Sequence, residues 1–160
     1  MYQTIPALLD TVRGHVRAWF EALPARTVRA SASSDELRTL LGGPLPEGGT
    51  PPADVIAALA EGGRTGAIAS AGPRYFGFVV GGSVPAALAA DWLVSTWDQN
   101  AGIFVLSPLT STVEQITGSW LRELAGLPAT MSFGFVTGGH MANFTSLACA
   151  RHCVLRKVGW

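Results

Sequence analysis

The residues of this chain whose types and spacing best suit chemistry are Thr137-Gly138-Gly139-His140, with Asn143 close behind. Phe133, Phe135 and Val136 precede them in a short apolar run that predicts a buried strand. Behind them, Phe144, Leu147, Ala148, Leu155 and Val158 fall on one stripe of a helix, a face expected to pack on a sheet. The first N–H groups of such a helix have no partner within it and stand at the positive end of its dipole. Glycines let those amides approach an anion with no Cβ in the way, and a phosphate is the usual guest. A tight strand-to-helix turn without a ligand fits the segment equally well. The glycines follow neither the Gly-x-x-x-x-Gly-Lys-Ser/Thr nor the Gly-x-Gly-x-x-Gly spacing, so ATP and dinucleotides lose their best support.

A second cluster, Cys149, His152 and Cys153, lies on the same predicted helix. Three ligands on one helix do not build a four-ligand cage, so no metal site is expected. A disulfide is not expected either, and the thiols are read as buried or half-buried.

The elements that must position these residues are set by composition and punctuation. At 160 residues the length suits one domain, yet 48% hydrophobic against 14% charged is apolar for a free-standing one. The core is therefore expected to exceed what this chain encloses. No Asp, Glu, Lys or Arg occurs from Leu124 to Ala150, but Gly126, Pro128, Gly138, Gly139 and Asn143 break any membrane span there. Net charge is zero without a basic cluster, which gives no footprint for nucleic acid. Asp10, Arg13, His15 and Arg17 interrupt the first apolar stripe, which excludes a signal-peptide core and makes a cytoplasmic location the default.

Ile5, Leu8, Leu9, Val12, Val16, Trp19 and Phe20 predict an amphipathic helix over residues 2–20. Ser33-x-x-Glu36 predicts a capping box opening a short helix through Leu41. Thr50 with Pro51 predicts a third helix start, Val55, Ile56 and Leu59 its inward face, and Gly62-Gly63 its stop. The aromatic, glycine-rich run from Gly72 to Pro85, without charge after Arg74, predicts an extended segment that must be covered. Ser83 and Pro85 then open a helix through Trp97. Ser107-Pro108 caps a helix whose face is Val113, Ile116, Trp120 and Leu124, closed by Gly126 and Pro128.

Several of these stretches together resemble a known family. Pro73-Arg-Tyr-Phe-Gly77, Ala90-Asp-Trp-Leu-Val-Ser-Thr96, Ser107-Pro108 with Glu114, Trp120-Leu121, Gly126-Leu-Pro128 and Thr137-Gly-Gly with Ala142-Asn143 and Ala150-Arg151 occur in the order and spacing of the pyridoxal-phosphate-dependent group II amino-acid decarboxylases. The resemblance implies an α/β fold, fold type I of the pyridoxal-phosphate enzymes. Residues 1–105 would form an N-terminal helical, dimerising segment, and residues 106–160 the first strand, loop and helix of the large domain. It further implies pyridoxal 5'-phosphate as cofactor, an amino acid as substrate, a homodimer, and a carboxy-lyase as the parent enzyme. Gly138, Gly139 and His140 would hold the cofactor phosphate through backbone amides, with Asn143 supporting the loop. Position 140 is more often Ser, Thr or Ala in relatives, so a hydroxyl contact is lost at His140 while an amide contact survives. Phe78, Gly82 and Ser83 would line the substrate side, where an apolar Phe78 favours a non-acidic amino acid. Ile103 and Phe104 would reach toward the neighbouring subunit.

No catalytic residue of that reaction is expected within these residues. Such an enzyme needs a lysine to hold the cofactor covalently, a carboxylate for its ring nitrogen and an aromatic ring against it. The one lysine, Lys157, lies 18 residues past Gly139 on the predicted helix. At helical rise that is ~27 Å from the glycine turn, so Lys157 is read as a charge at the helix C-terminus. The expectation is an incomplete N-terminal part of a longer enzyme, inactive by itself. Another fold-type-I reaction, such as transamination, or a non-catalytic oligomerisation module are the competing readings.

Overall fold

A computed structural model describes residues 4–160. Among them stand six α-helices and a 3₁₀ turn, in the order α1 (Ile5–Ala22), α2 (Ser34–Leu41), α3 (Pro52–Gly66), α4 (Pro85–Trp97), the 3₁₀ turn Phe104–Leu106, α5 (Pro108–Leu124) and α6 (Gly138–Arg156). The chain divides into two compact units, Met1–Leu88 and Ala89–Trp160.

In the first unit α3 packs against both α1 and α2. Leu8, Val12, Val16 and Trp19 form the half-buried stripe of α1 that the sequence periodicity predicts, and Leu23 is buried just beyond it. The capping box is present in full. The Ser33 amide donates to Glu36 Oε2 at 2.7 Å, and the Glu36 amide donates to Ser33 Oγ at 3.2 Å. The helix start at Pro51 needs a one-residue correction, because Pro51 is the N-cap, Pro52 opens α3 and no side chain caps it.

Gly62 and Gly63 do not stop α3, which runs on to Gly66. Gly62 and Gly66 are places of close approach. A Cβ on Gly62 would lie 3.0 Å from Leu41 Cδ1, and one on Gly66 would lie 2.8 Å from Leu37 Cδ1. One turn of α2 thus rests on one turn of α3, leucines on glycines. Of Val55, Ile56 and Leu59, only Ile56 is half-buried, because α3 turns this glycine side toward α2.

Arg26 fastens the far end of α3. Its Nη2 donates to the carbonyls of Gly63 at 3.3 Å, of Arg64, and of Ala67 at 3.2 Å, at the negative end of the helix dipole. Arg74, from the Pro73-Arg-Tyr-Phe-Gly stretch, donates in turn to the Arg26 carbonyl at 2.5 Å. The run that follows, 75–84, is irregular, and Phe76, Phe78 and Val79 on it are bare, so the covering expected of it is absent among the described residues.

In the second unit Ser107 is fully buried as the N-cap of α5, its Oγ accepting from the Thr110 amide at 3.4 Å. The other end closes in a Schellman motif. Leu127 N–H donates to the Arg122 carbonyl at 3.0 Å, and Gly126, at φ +65°, donates to the Glu123 carbonyl at 2.9 Å. These local signals act as the sequence predicts.

The predicted strand does not form: among the described residues no strand exists, and 131–136 run without regular structure. A strand needs a hydrogen-bonded neighbour, and none is supplied. For the same reason most of the α6 face expected on a sheet is open, with Phe144, Leu147 and Val158 exposed and only Ala148 and Leu155 half-buried. The α5 face made by Val113, Ile116, Trp120 and Leu124 is exposed as well. It is the small-residue side of α5, at Ser107 and Gly118, that is buried.

The accessible surface measures the deficit. A self-contained folded chain of this mass exposes about 7,600 Å², whereas this one exposes 13313 Å². Among the described residues the buried hydrophobic ones are Leu23 and Ala69. The sequence composition and the structure agree that the apolar surface outruns what these residues enclose.

Candidate functional site

The glycine turn opens α6. Gly138 adopts φ +76°, a conformation that costs a residue with a Cβ on the order of 1 kcal/mol and glycine little. The N-cap, Thr137, is extended and gives no side-chain hydrogen bond to the first turn, and no acidic residue lies in that turn. A Cβ built on Gly138 or Gly139 would meet nothing within 4 Å apart from its chain neighbours and the helix's own backbone, so the space on that side of each is open. Asn143 follows Gly139 by one helical turn and stands on the same face. The helix therefore offers uncapped amides, a positive dipole end and room for an anion.

Three features of the second unit bring the chain to this turn. Arg122 Nη1 donates to the Met131 carbonyl at 3.0 Å. Phe133 lies so close over α5 that a Cβ on Gly118 would stand 2.0 Å from its Cε2. Phe133 and Phe135 meet edge to face, their centroids 6.0 Å apart. Phe135 also lines an apolar groove of about 610 Å³ with Leu93, Val94 and Trp97 of α4 and Leu109 and Val113 of α5. Sequence reasoning missed Gly118 and Arg122. The only trace of the first was a glycine in mid-helix, which is unfavourable unless something packs closely on it.

The second predicted group, Phe78, Gly82 and Ser83, belongs to the first unit. Phe78 is 96% exposed at φ +52°, a conformation unusual for a bulky residue. Open space surrounds Gly82, and Ser83 is exposed. Ile103 and Phe104 in the 3₁₀ region are exposed too. Lys157 is the C-cap residue of the 19-residue α6, at the opposite end from the glycine turn.

Cys149 and Cys153 are free and exposed, a correction to the half-buried reading that follows from the bareness of α6. Among the described residues no group of three His, Cys, Asp or Glu side chains could hold a metal. Among them, too, no helix is long and apolar enough to cross a membrane.

A solved structure shares this fold. Mouse CSAD superposes with a TM-score of 0.82 at 22% identity, over 96% of this chain and 32% of its own. The fold is therefore shared with about a third of that protein. No family model matches the chain.

Sequence relatives carry the comparison further. The chain is 27% identical over 156 residues to an aromatic-L-amino-acid decarboxylase of Bacillus atrophaeus, covering 98% of this chain and 31% of the relative. It is 36% identical over 110 residues to an L-2,4-diaminobutyrate decarboxylase of Rhizobium meliloti (strain 1021), covering 67% of this chain and 22% of the relative. The chain thus spans a third or less of the proteins it matches. The resemblance read from the motifs holds to this extent: over a part of their length the chain is similar in sequence to amino-acid decarboxylases.

Proposed function

We propose that this chain is part of a pyridoxal-phosphate-dependent amino-acid decarboxylase of fold type I, and that its share of the work is to anchor the cofactor phosphate. The observation that carries the reading is the opening of α6. Gly138 at φ +76° leads an uncapped helix with open space beside it, in a chain homologous to decarboxylases.

The amides of Gly138, Gly139 and His140 are the donors for the phosphate, and the dipole of α6 adds to their hold. His140 acts through its backbone. Asn143, one turn on, braces the loop. Phe78, Gly82 and Ser83 form one wall for the substrate, and the bare aromatic ring of Phe78 suits an apolar or aromatic amino acid better than an acidic one. When bound, pyridoxal phosphate supplies the electron sink that makes loss of CO₂ from an amino acid feasible. The lysine, carboxylate and stacking ring that complete such a site are supplied by other residues of the enzyme.

In this reading residues 1–105 serve dimerisation and residues 106–160 open the large domain. The exposed apolar residues of α4, α5 and α6 are then contacts with the rest of a homodimeric, cytoplasmic enzyme. Assay of the full-length protein for CO₂ release across a panel of amino acids tests the proposal. The expected result is CO₂ from a non-acidic amino acid, dependent on added pyridoxal phosphate. No CO₂ from any amino acid would overturn it.

A further inference from the structure

The opening of α6 cannot hold a phosphate unless the chain arrives there at the right height and angle, and the residues before it have no strand partner to fix them. What fixes them is α5. Arg122 Nη1 grips the Met131 carbonyl at 3.0 Å, and two residues later the Phe133 ring occupies the space where a side chain at position 118 would be. Gly118 is buried in the middle of α5, where a glycine costs about 1 kcal/mol relative to alanine. That cost is offset by the ring it admits: Cε2, Cζ and Cδ2 of Phe133 would stand 2.0, 2.2 and 2.4 Å from a Cβ there. A flexible side-chain tip could shift away, but a ring held this close leaves only by turning about χ1 or by moving its backbone.

We infer that Gly118 is a positioning residue for the proposed phosphate site, acting through Phe133 to set the register of residues 131–137 and hence the direction of the Gly138–His140 amides. Phe133 is the fifth residue before Gly138, with no helix or strand between to absorb a displacement. Phe135, edge to face with Phe133, moves with it and carries the shift toward the turn. The inference rests on the proposed cofactor reading and adds to it a residue that lies outside the glycine turn.

The test is a size swap in the full-length enzyme. Gly118→Val expels the ring, and pyridoxal phosphate affinity falls roughly tenfold, the scale of an overpacked core. Phe133→Ala added to Gly118→Val makes room for the new side chain, and affinity returns to within about threefold of the parent. The phosphorus resonance of the bound cofactor shifts in the single variant and returns in the double one, a signature that a general loss of stability does not produce. Gly118→Ala, the milder change, is read alongside in case valine prevents folding, and follows the same order with a smaller loss. A folded Gly118 variant that binds the cofactor as tightly as the parent with an unmoved phosphorus signal overturns the inference. So does a double variant that stays as weak as the single one. A parent enzyme that binds no pyridoxal phosphate overturns the functional reading itself, and is told apart because it fails before any substitution is made.

Discussion

The Arg26 guanidinium lies 4.5 Å from the centroid of the Trp19 ring while its Nη2 reaches the last carbonyls of α3. One side chain thus joins the end of α1 to the end of α3 through a cation–π contact and several charge-assisted hydrogen bonds. Arg26→Ala is expected to reduce the local stability of the α3 C-terminus by about 1–3 kcal/mol. Arg26→Lys recovers little, because an ammonium has neither the planar fork nor the stacking face. Hydrogen exchange at the amides of residues 63–69 in the full-length protein measures both.

Gly62 and Gly66 are expected to resist enlargement. Gly62→Val drives a side chain into Leu41, and Gly66→Val drives one into Leu37. Each costs about 1–3 kcal/mol, read as a lowered midpoint in chemical denaturation. Pairing Gly62→Val with Leu41→Ala restores part of the loss, whereas pairing it with Leu37→Ala restores less.

The capping box of α2 gives the first unit a pH dependence. The backbone hydrogen bond from Ser33, and then the one from its hydroxyl, hold the Glu36 carboxyl below the ordinary carboxylate range. A carboxyl whose folded value is depressed contributes its full stability above its unfolded value and loses it as pH falls through the folded one. Exchange protection in the first turn of α2 is therefore expected to fall as the solution is acidified below the ordinary carboxylate range. Glu36→Gln keeps the geometry and flattens that part of the profile.

The isolated 160 residues are expected to release no CO₂ from any amino acid and to form no coloured, borohydride-reducible adduct near Gly139. Their only lysine caps the far end of α6. Absorbance and peptide mapping after reduction check this. A reduced adduct at the glycine turn would contradict the assignment of Lys157 to the helix end.

The parts of this fold that were legible in the sequence are those decided locally. Ser33 with Glu36, Ser107 with Pro108, and Gly126 each act on residues a few positions away, so their pattern carries their geometry. Gly62 was misread as a stop because its role depends on Leu41, on another helix, which no local pattern reveals. The faces of α5 and α6 were read correctly as apolar, but the sheet expected against α6 is absent among the described residues, since a strand and the burial it gives need a partner surface that these residues do not provide. At the candidate site the glycine turn stood out by composition. Gly118 did not, because its importance comes from a ring 15 residues further along the chain.

The amides proposed to take the cofactor phosphate are those of Gly138, Gly139 and His140, and hydrogen exchange of the full-length protein with and without pyridoxal phosphate reads them directly. Saturation with the cofactor is predicted to slow exchange across residues 138–143 at least tenfold, the change that accompanies about 1.4 kcal/mol of added local stability. Saturable binding that leaves exchange at those amides unchanged would contradict it.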